Sequence, residues 1–462
     1  MPGPSKLTEM KQPSGTFEQR AARVLSPVLG HYTWLEVDHG EGSWLVTRDG
    51  RRVLDLTSGI AVTPVGHAHP KVVAAIQAQA AKLSHICAGV AAYEPNIALA
   101  EALTGITPRG LDMVFFGNSG AEAIEASIKL SRQVTGREAI IVFRGGFHGR
   151  SVGAASVTTS KSLYRKGYGA LLPEVHVAPY PYPLDCPITP AHDAETCGQH
   201  SLALIEQMLE HDVPAEQVAA ILIEPVLGEG GYVAAPVSFL QGLRDLATRI
   251  GALLVFDEVQ TGFGRTGAWF AAQRFGVTPD VLALAKALGG GMPLGAVVAP
   301  RAIHERWKTS THGSTFGGNP VSCASGLATL NVLRDEGLVA RADLVGKIIV
   351  EELAPLKRDR RDGRDRILRQ GRLQGRDPRR ARSRRAAHHL RLARPGRAVH
   401  PAAQHRRRGP PRWHPGVRAG RPVIGRRSAR LTPTRREGPF HRDFPRARVA
   451  LRAALKSCPF RS

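Results

Sequence analysis

Cysteine is scarce: five residues, at 87, 186, 197, 323 and 458, scattered and odd in number. That argues against a disulfide framework, and the lack of any CxxC pair removes the usual zinc site, so no metal is expected. No run approaches the ~20 consecutive apolar residues that a membrane-spanning helix needs. The opening Met1-Pro2-Gly3-Pro4 has no apolar signal core, so a cytoplasmic location is expected. Lysine is almost missing from residues 358–462, which hold one lysine against 32 arginines and contain neither Tyr nor Met. That segment also carries only six acids, a net charge of +27, whereas residues 1–357 come to −3. The overall +24 therefore describes neither part.

What is present is a chain of 462 residues, 42% of them apolar, enough for a large buried core and two or three domains. Residues 1–30 are polar and helix-prone, an expected loose arm. Residues 33–57 read as short strands broken by turns, with Asp49-Gly50 as a hairpin signal. From Pro70 to about Leu83 apolar residues recur at helical spacing. From Leu111 to Ala299 apolar runs alternate with helical stretches. The strands are expected at 113–116, 139–143, 219–225, 252–256, 281–283 and 295–299. Most are continuously apolar, as in strands covered on both faces. The fold class expected is α/β with a mostly parallel sheet flanked by helices, and its ligands belong at the carboxyl ends of the strands. Helices are expected at 320–335 and from Val339 to about Leu356.

Chemistry is therefore sought just after each strand. In FFGNSGAEAIEASIKLSR (115–132) the turn at Ser119, Gly120 and Ala121 opens a helix whose free N–H groups favour a phosphate. The same residues also suit a plain strand-to-helix turn. FRGGFHGRS (143–151) presents Phe147, His148 and Arg150 at the sheet edge, or buries Phe147 in a packed loop. ILIEPVLGEGG (221–231) leaves Glu224 and Glu229 after a buried strand, where a carboxylate needs a partner. LLVFDEVQTGFGRTG (253–267) places Asp257 after an apolar strand, in need of an arginine, a metal or a protonated ring nitrogen. LALAKALGGGMPLGA (282–296) holds Lys286 among apolar residues. Desolvation lowers a lysine's pKa and makes it a nucleophile, although its stem could pack while its head reaches water. HGSTFGGNP (312–320) reads on its own as a surface loop. Together these supply a phosphate cradle, a stacking aromatic, a buried Asp and an activated Lys. That set suits pyridoxal phosphate (PLP). An Asp and a ring cation about 4 Å apart, at an effective dielectric near 20, attract by roughly 4 kcal/mol.

The motifs NSGAEA, FHGR, EPVLGEGG, DEVQTGFGRTG, AKALGGGMPLGA and STFGGNP, in that order over roughly residues 30–355, resemble a class III PLP-dependent aminotransferase, closest to 4-aminobutyrate aminotransferases. The resemblance implies the fold-type I transferase fold. It implies Lys286 as Schiff-base lysine and proton shuttle, Asp257 against the pyridinium nitrogen and Gln260 near the ring hydroxyl. It further implies Val259 and Phe147 on either side of the ring, and Ser119, Gly120 and Ala121 on the phosphate. Thr315 would join them from a neighbouring subunit, making a homodimer or higher homo-oligomer. For the substrate, an ω-amino acid donor with 2-oxoglutarate as acceptor, it implies Arg150 on the distal carboxylate, Ile60 lining the pocket and Glu229 as a gate paired with a C-terminal arginine. Acetylornithine-type or other ω-amine transamination, and an aminomutase or racemase, share this frame.

The domains expected are an arm and small-domain segment (1–65), a large PLP-binding domain (66–330), the start of a C-terminal small domain (331–357) and an Arg-rich tail (358–462). The tail departs from the family pattern. Its composition is that of a GC-rich reading frame read out of register, so a frameshift near residues 352–360 is expected, with a disordered tail in place of the small domain and impaired turnover. The competing reading is a genuine basic tail that binds nucleic acid through its charge.

Overall fold

The computed structural model describes residues 15–183, 186 and 193–358. The chain divides into two compact units, residues 1–348 and 349–462. Of the second unit only the last turns of one helix, Leu338–Arg358, lie among the described residues. The expectations about the tail therefore fall outside them.

In the first unit an antiparallel sheet comes first: β1 (Val37–Glu41), β2 (Trp44–Thr47) and β3 (Arg52–Leu54). Gly50, at φ 80°, sits in the turn joining β2 to β3, the left-handed conformation for which Asp-Gly was the signal. The main sheet follows, from β4 (Met113–Gly117), β5 (Ala139–Phe143), β6 (Val175–Ala178) and β7 (Val218–Ile223). A two-stranded hairpin, β8 (Val226–Leu227) and β9 (Val233–Ala234), interrupts it before β10 (Leu253–Asp257), β11 (Val281–Leu284) and β12 (Gly295–Ala299). The strand order is β4-β12-β11-β10-β7-β5-β6. Pairings from β6 through to β11 are parallel, and β12 runs antiparallel between β11 and β4. β4 consequently points the same way as the parallel set, and six strands end on one edge.

Side-chain alternation explains why the middle strands read as unbroken apolar runs. In β5, Ile140 and Val142 join one core layer with Ile124, Ile128 and Leu130 of the helix Gly120–Thr135. Ile141 and Phe143 join the other with Phe239, Leu240 and Leu243 of the helix Val237–Ile250. Both faces are covered, so no polar residue alternates in. Each fully buried Leu, Ile or Phe stabilises by about 1.5–3 kcal/mol. Both helices end on a left-handed glycine, Gly136 at φ 70° and Gly251 at φ 70°. Five expected strands, 113–116, 139–143, 252–256, 281–283 and 295–299, coincide with β4, β5, β10, β11 and β12 to within one residue at each end, and the sixth, 219–225, overlaps β7. β6, the hairpin β8–β9 and the helices Glu94–Thr104 and Ala194–His211 have no counterpart in the sequence reading.

Candidate active site

Five strand ends converge. β4 delivers Asn118–Ala121, β5 delivers Phe147–Gly149, β7 delivers Glu224, β10 delivers Asp257, Val259 and Gln260, and β11 delivers Ala285 and Lys286. With Val62 and residues 291–294 they line a cavity of about 350 Å³.

Lys286 follows β11 with a left-handed backbone, φ 47°, uncommon for a residue with a Cβ. Its Nζ donates to Gln260 Oε1 at 3.0 Å. Burial lowers its pKa below the usual lysine value; Asp257, Glu224 and Glu229 pull the other way, and Arg265 adds to the lowering. Asp257 closes β10 and is 5% exposed. Its Oδ1 accepts the Val259 N–H at 3.0 Å, and its Oδ2 lies 2.7 Å from His148 Nδ1. Among the described residues the charged or ionisable side chain paired with this buried anion is thus a histidine. His148 stands at the sheet edge, where it lines the cavity with a side chain only 1% exposed. Burial opposes a charge on His148, yet the hydrogen bond and charge of Asp257, helped by Glu224, raise its pKa.

Among the described residues Glu224 is not held by a lysine or arginine. Its Oε1 accepts the Phe147 N–H at 2.7 Å and its Oε2 the Gly228 N–H at 2.9 Å, tying two loops together. Burial pushes its pKa up to about 7, against the charge of His148 and with that of Asp257. Glu258 is fully buried; its Oε2 accepts from Thr261 Oγ1 at 2.9 Å and from the Ala271 N–H at 2.6 Å, and its Oε1 accepts the Ala272 N–H at 2.8 Å. It anchors the loop that carries Val259 and Gln260.

At the helix start, Ser119 Oγ accepts the Glu122 N–H at 3.2 Å as N-cap. A Cβ added at Gly120 would meet Val259 Cγ1 at 2.8 Å, so glycine is what lets this helix lie against the β10 loop. Ser119, Gly120, Ala121, Phe147, Asp257, Val259, Gln260 and Lys286 all line the one cavity. Four candidates do not. Ile60 is 66% exposed in a left-handed turn, and its near neighbour Val62 lines the cavity instead. Arg150 and Glu229 sit outside, the first over the Tyr164 ring and the second on its hydroxyl. Thr315 lines a second cavity with Cys87 and Asn96, while its neighbour Ser314 accepts from Asn118 Nδ2 at 2.9 Å. The expected arginine partner of Glu229 belongs to a region outside the described residues. Val62 and Met292–Leu294 are lining groups that the sequence does not single out, and for His148 it indicates the sheet edge but not the pairing with Asp257.

The residues present fit PLP. Free N–H groups at a helix N-terminus suit its phosphate, an anion with a histidine behind it suits its ring nitrogen, and a desolvated lysine suits its aldehyde. The fold and the cavity together are those of a fold-type I PLP-dependent transaminase.

Comparison with known proteins agrees. The sequence profile of the aminotransferase class-III family matches residues 26–404. The 4-aminobutyrate aminotransferase of Mycobacterium leprae is 37% identical over 377 residues, 81% of each chain. An acetylornithine aminotransferase of Methanosarcina acetivorans is 41% identical over 325 residues, 70% of this chain and 75% of the other. A PLP-bound amine transaminase from an uncultivated Pseudomonas species superposes with TM-score 0.68 at 31% identity, covering 72% of this chain and 79% of that one. The chain belongs to the class III aminotransferases, a PLP-dependent family. Among the described residues no helix is long and apolar enough to cross a membrane, and no cluster of three acidic, His or Cys side chains is arranged to hold a metal.

Proposed function

We propose that this enzyme moves the amino group of an ω-amino acid of the 4-aminobutyrate type to 2-oxoglutarate, as a homodimer in the cytoplasm. The observation that carries the donor class is Arg150. Its guanidinium stands 4.6 Å from the centroid of the Tyr164 ring beside the cavity, with no carboxylate of the described residues paired to it. A fork of donors in that state suits a distal carboxylate.

When bound, PLP supplies an electron sink for the amine-bearing carbon. The chain's residues do the rest. Lys286, kept short of charge by burial, takes and returns the proton at that carbon. Asp257, backed by His148, holds a positive charge on the ring nitrogen. Gln260 holds the Lys286 amine in place and would contact the ring hydroxyl, while Phe147 and Val259, both lining the cavity, would flank the ring. Ser119 and the N–H groups of Gly120 and Ala121 take the phosphate, with Thr315 supplied by the second subunit. Ile60 and Glu229 border the donor's path.

The test is initial-rate kinetics of the PLP-loaded chain with 4-aminobutyrate and with N-acetylornithine, both against 2-oxoglutarate. A larger kcat/KM for 4-aminobutyrate is expected. The reverse order would establish the acetylornithine reading, which the identity to that relative favours. Product formation without consumption of 2-oxoglutarate would mean an aminomutase or racemase.

A further inference from the structure

Glu229 is held by two groups with no role so far, Lys161 and Tyr164, at either end of the short turn around Ser162–Tyr164. The Tyr164 hydroxyl donates to Glu229 Oε2 at 2.9 Å. Lys161 Nζ lies 3.3 Å from that same oxygen and 3.3 Å from the tyrosine oxygen. The Arg150 guanidinium stands over the Tyr164 ring, and that ring meets the Phe147 ring in a T-shaped contact, 5.5 Å between centroids at 72°. One aromatic ring thus connects the candidate gate, the candidate carboxylate clamp and a wall of the cavity.

The charges in this group decide what it can bind. Among the described residues two cations, Arg150 and Lys161, share one anion, Glu229, and the anion sits with Lys161. Arg150 is left positive, held by attraction to the ring rather than by an acid. Were the Lys161 charge removed, Glu229 would turn to the remaining cation on the same ring and neutralise it. We propose that Lys161 and Tyr164 are specificity-determining residues: they hold Glu229 away from Arg150 and so keep the guanidinium open to the distal carboxylate of the amino donor. This rests on the transaminase reading above and deepens it. It names the substrate class, carboxylate-bearing amines over uncharged-tail amines, and the groups that set the preference.

The experiment compares 4-aminobutyrate with n-butylamine, the same chain length without the carboxylate, in the donor half-reaction of the PLP-loaded full chain. The quantity read is the ratio of the two kcat/KM values. In Lys161→Met the ratio is expected to fall roughly fivefold, the factor set by a surface ion pair of about 1 kcal/mol. Tyr164→Phe, which keeps the ring but loses the hydroxyl that holds Glu229, should move it in the same direction. Adding Glu229→Gln to Lys161→Met should restore the ratio, because no anion remains to occupy Arg150. A simple loss of local structure would not be rescued by removing a second side chain. An unchanged ratio in Lys161→Met and Tyr164→Phe, or a double variant as low as the single, overturns the proposal. A wild-type chain that binds PLP and reacts with neither donor overturns the transaminase reading itself, a different result from a flat ratio.

Discussion

At the scale of single residues, the site is a small set of charges placed where burial amplifies them. Glu258 has its pKa raised from 4.5 to about 7, chiefly by burial. The folded chain therefore holds that proton more tightly than the unfolded chain does. The contribution to stability is complete below the unfolded value of 4.5 and is lost as pH rises through about 7. A shift of this size corresponds to roughly 3 kcal/mol. In Glu258→Gln, urea midpoints should change less between those two pH values than in the wild type; equal slopes would show that Glu258 does not titrate there. His148→Ala leaves the Asp257 carboxylate buried without its neighbour, and a loss of about 3–5 kcal/mol in denaturant unfolding is expected. Lys286 and Asp257 are legible in the sequence because a charged residue inside an apolar strand end has few explanations. The pairing of His148 with Asp257 is not, since the two lie 109 residues apart and no local pattern records it.

Whole elements were read in proportion to how completely they are buried. β5 and β12 are apolar throughout, and their sequence limits match their ends in the fold. β6 lies at the sheet edge, pairs on one side only, and is half exposed, so VHVA gave no signal. The helix Glu94–Thr104 distributes its apolar residues around the axis instead of along one stripe, which hides its period. Where two elements approach closely, the sequence shows only a glycine. Gly120 starts a helix against Val259, and Gly120→Ala would push a methyl to 2.8 Å from Val259 Cγ1. Overpacking of this kind costs about 1–3 kcal/mol. Since Val259 is proposed to flank the cofactor ring, the loss should appear as weaker PLP binding in an absorbance titration. Wild-type affinity in that variant would show that the helix start yields without disturbing the ring site.

For the whole molecule, the charge division at residue 358 is the plainest sequence feature, and the described residues end there. The helix Leu338–Arg358 leaves Leu344, Ile349, Val350 and Leu353 about half exposed or more. With 32 arginines and one lysine, residues 358–462 offer trypsin a site about every third residue. Brief digestion should remove them first and leave a fragment ending near Lys357, as read by intact mass; a protected C-terminal segment would show that it folds. The main sheet, in contrast, fixes everything else proposed here. Its chemistry hangs from one edge, while its rigidity comes from the two layers of side chains behind that edge. Evolution, or a directed-evolution library, can therefore rewrite which amine is accepted by exchanging turns such as 158–165 and 226–233, without re-solving how the protein folds.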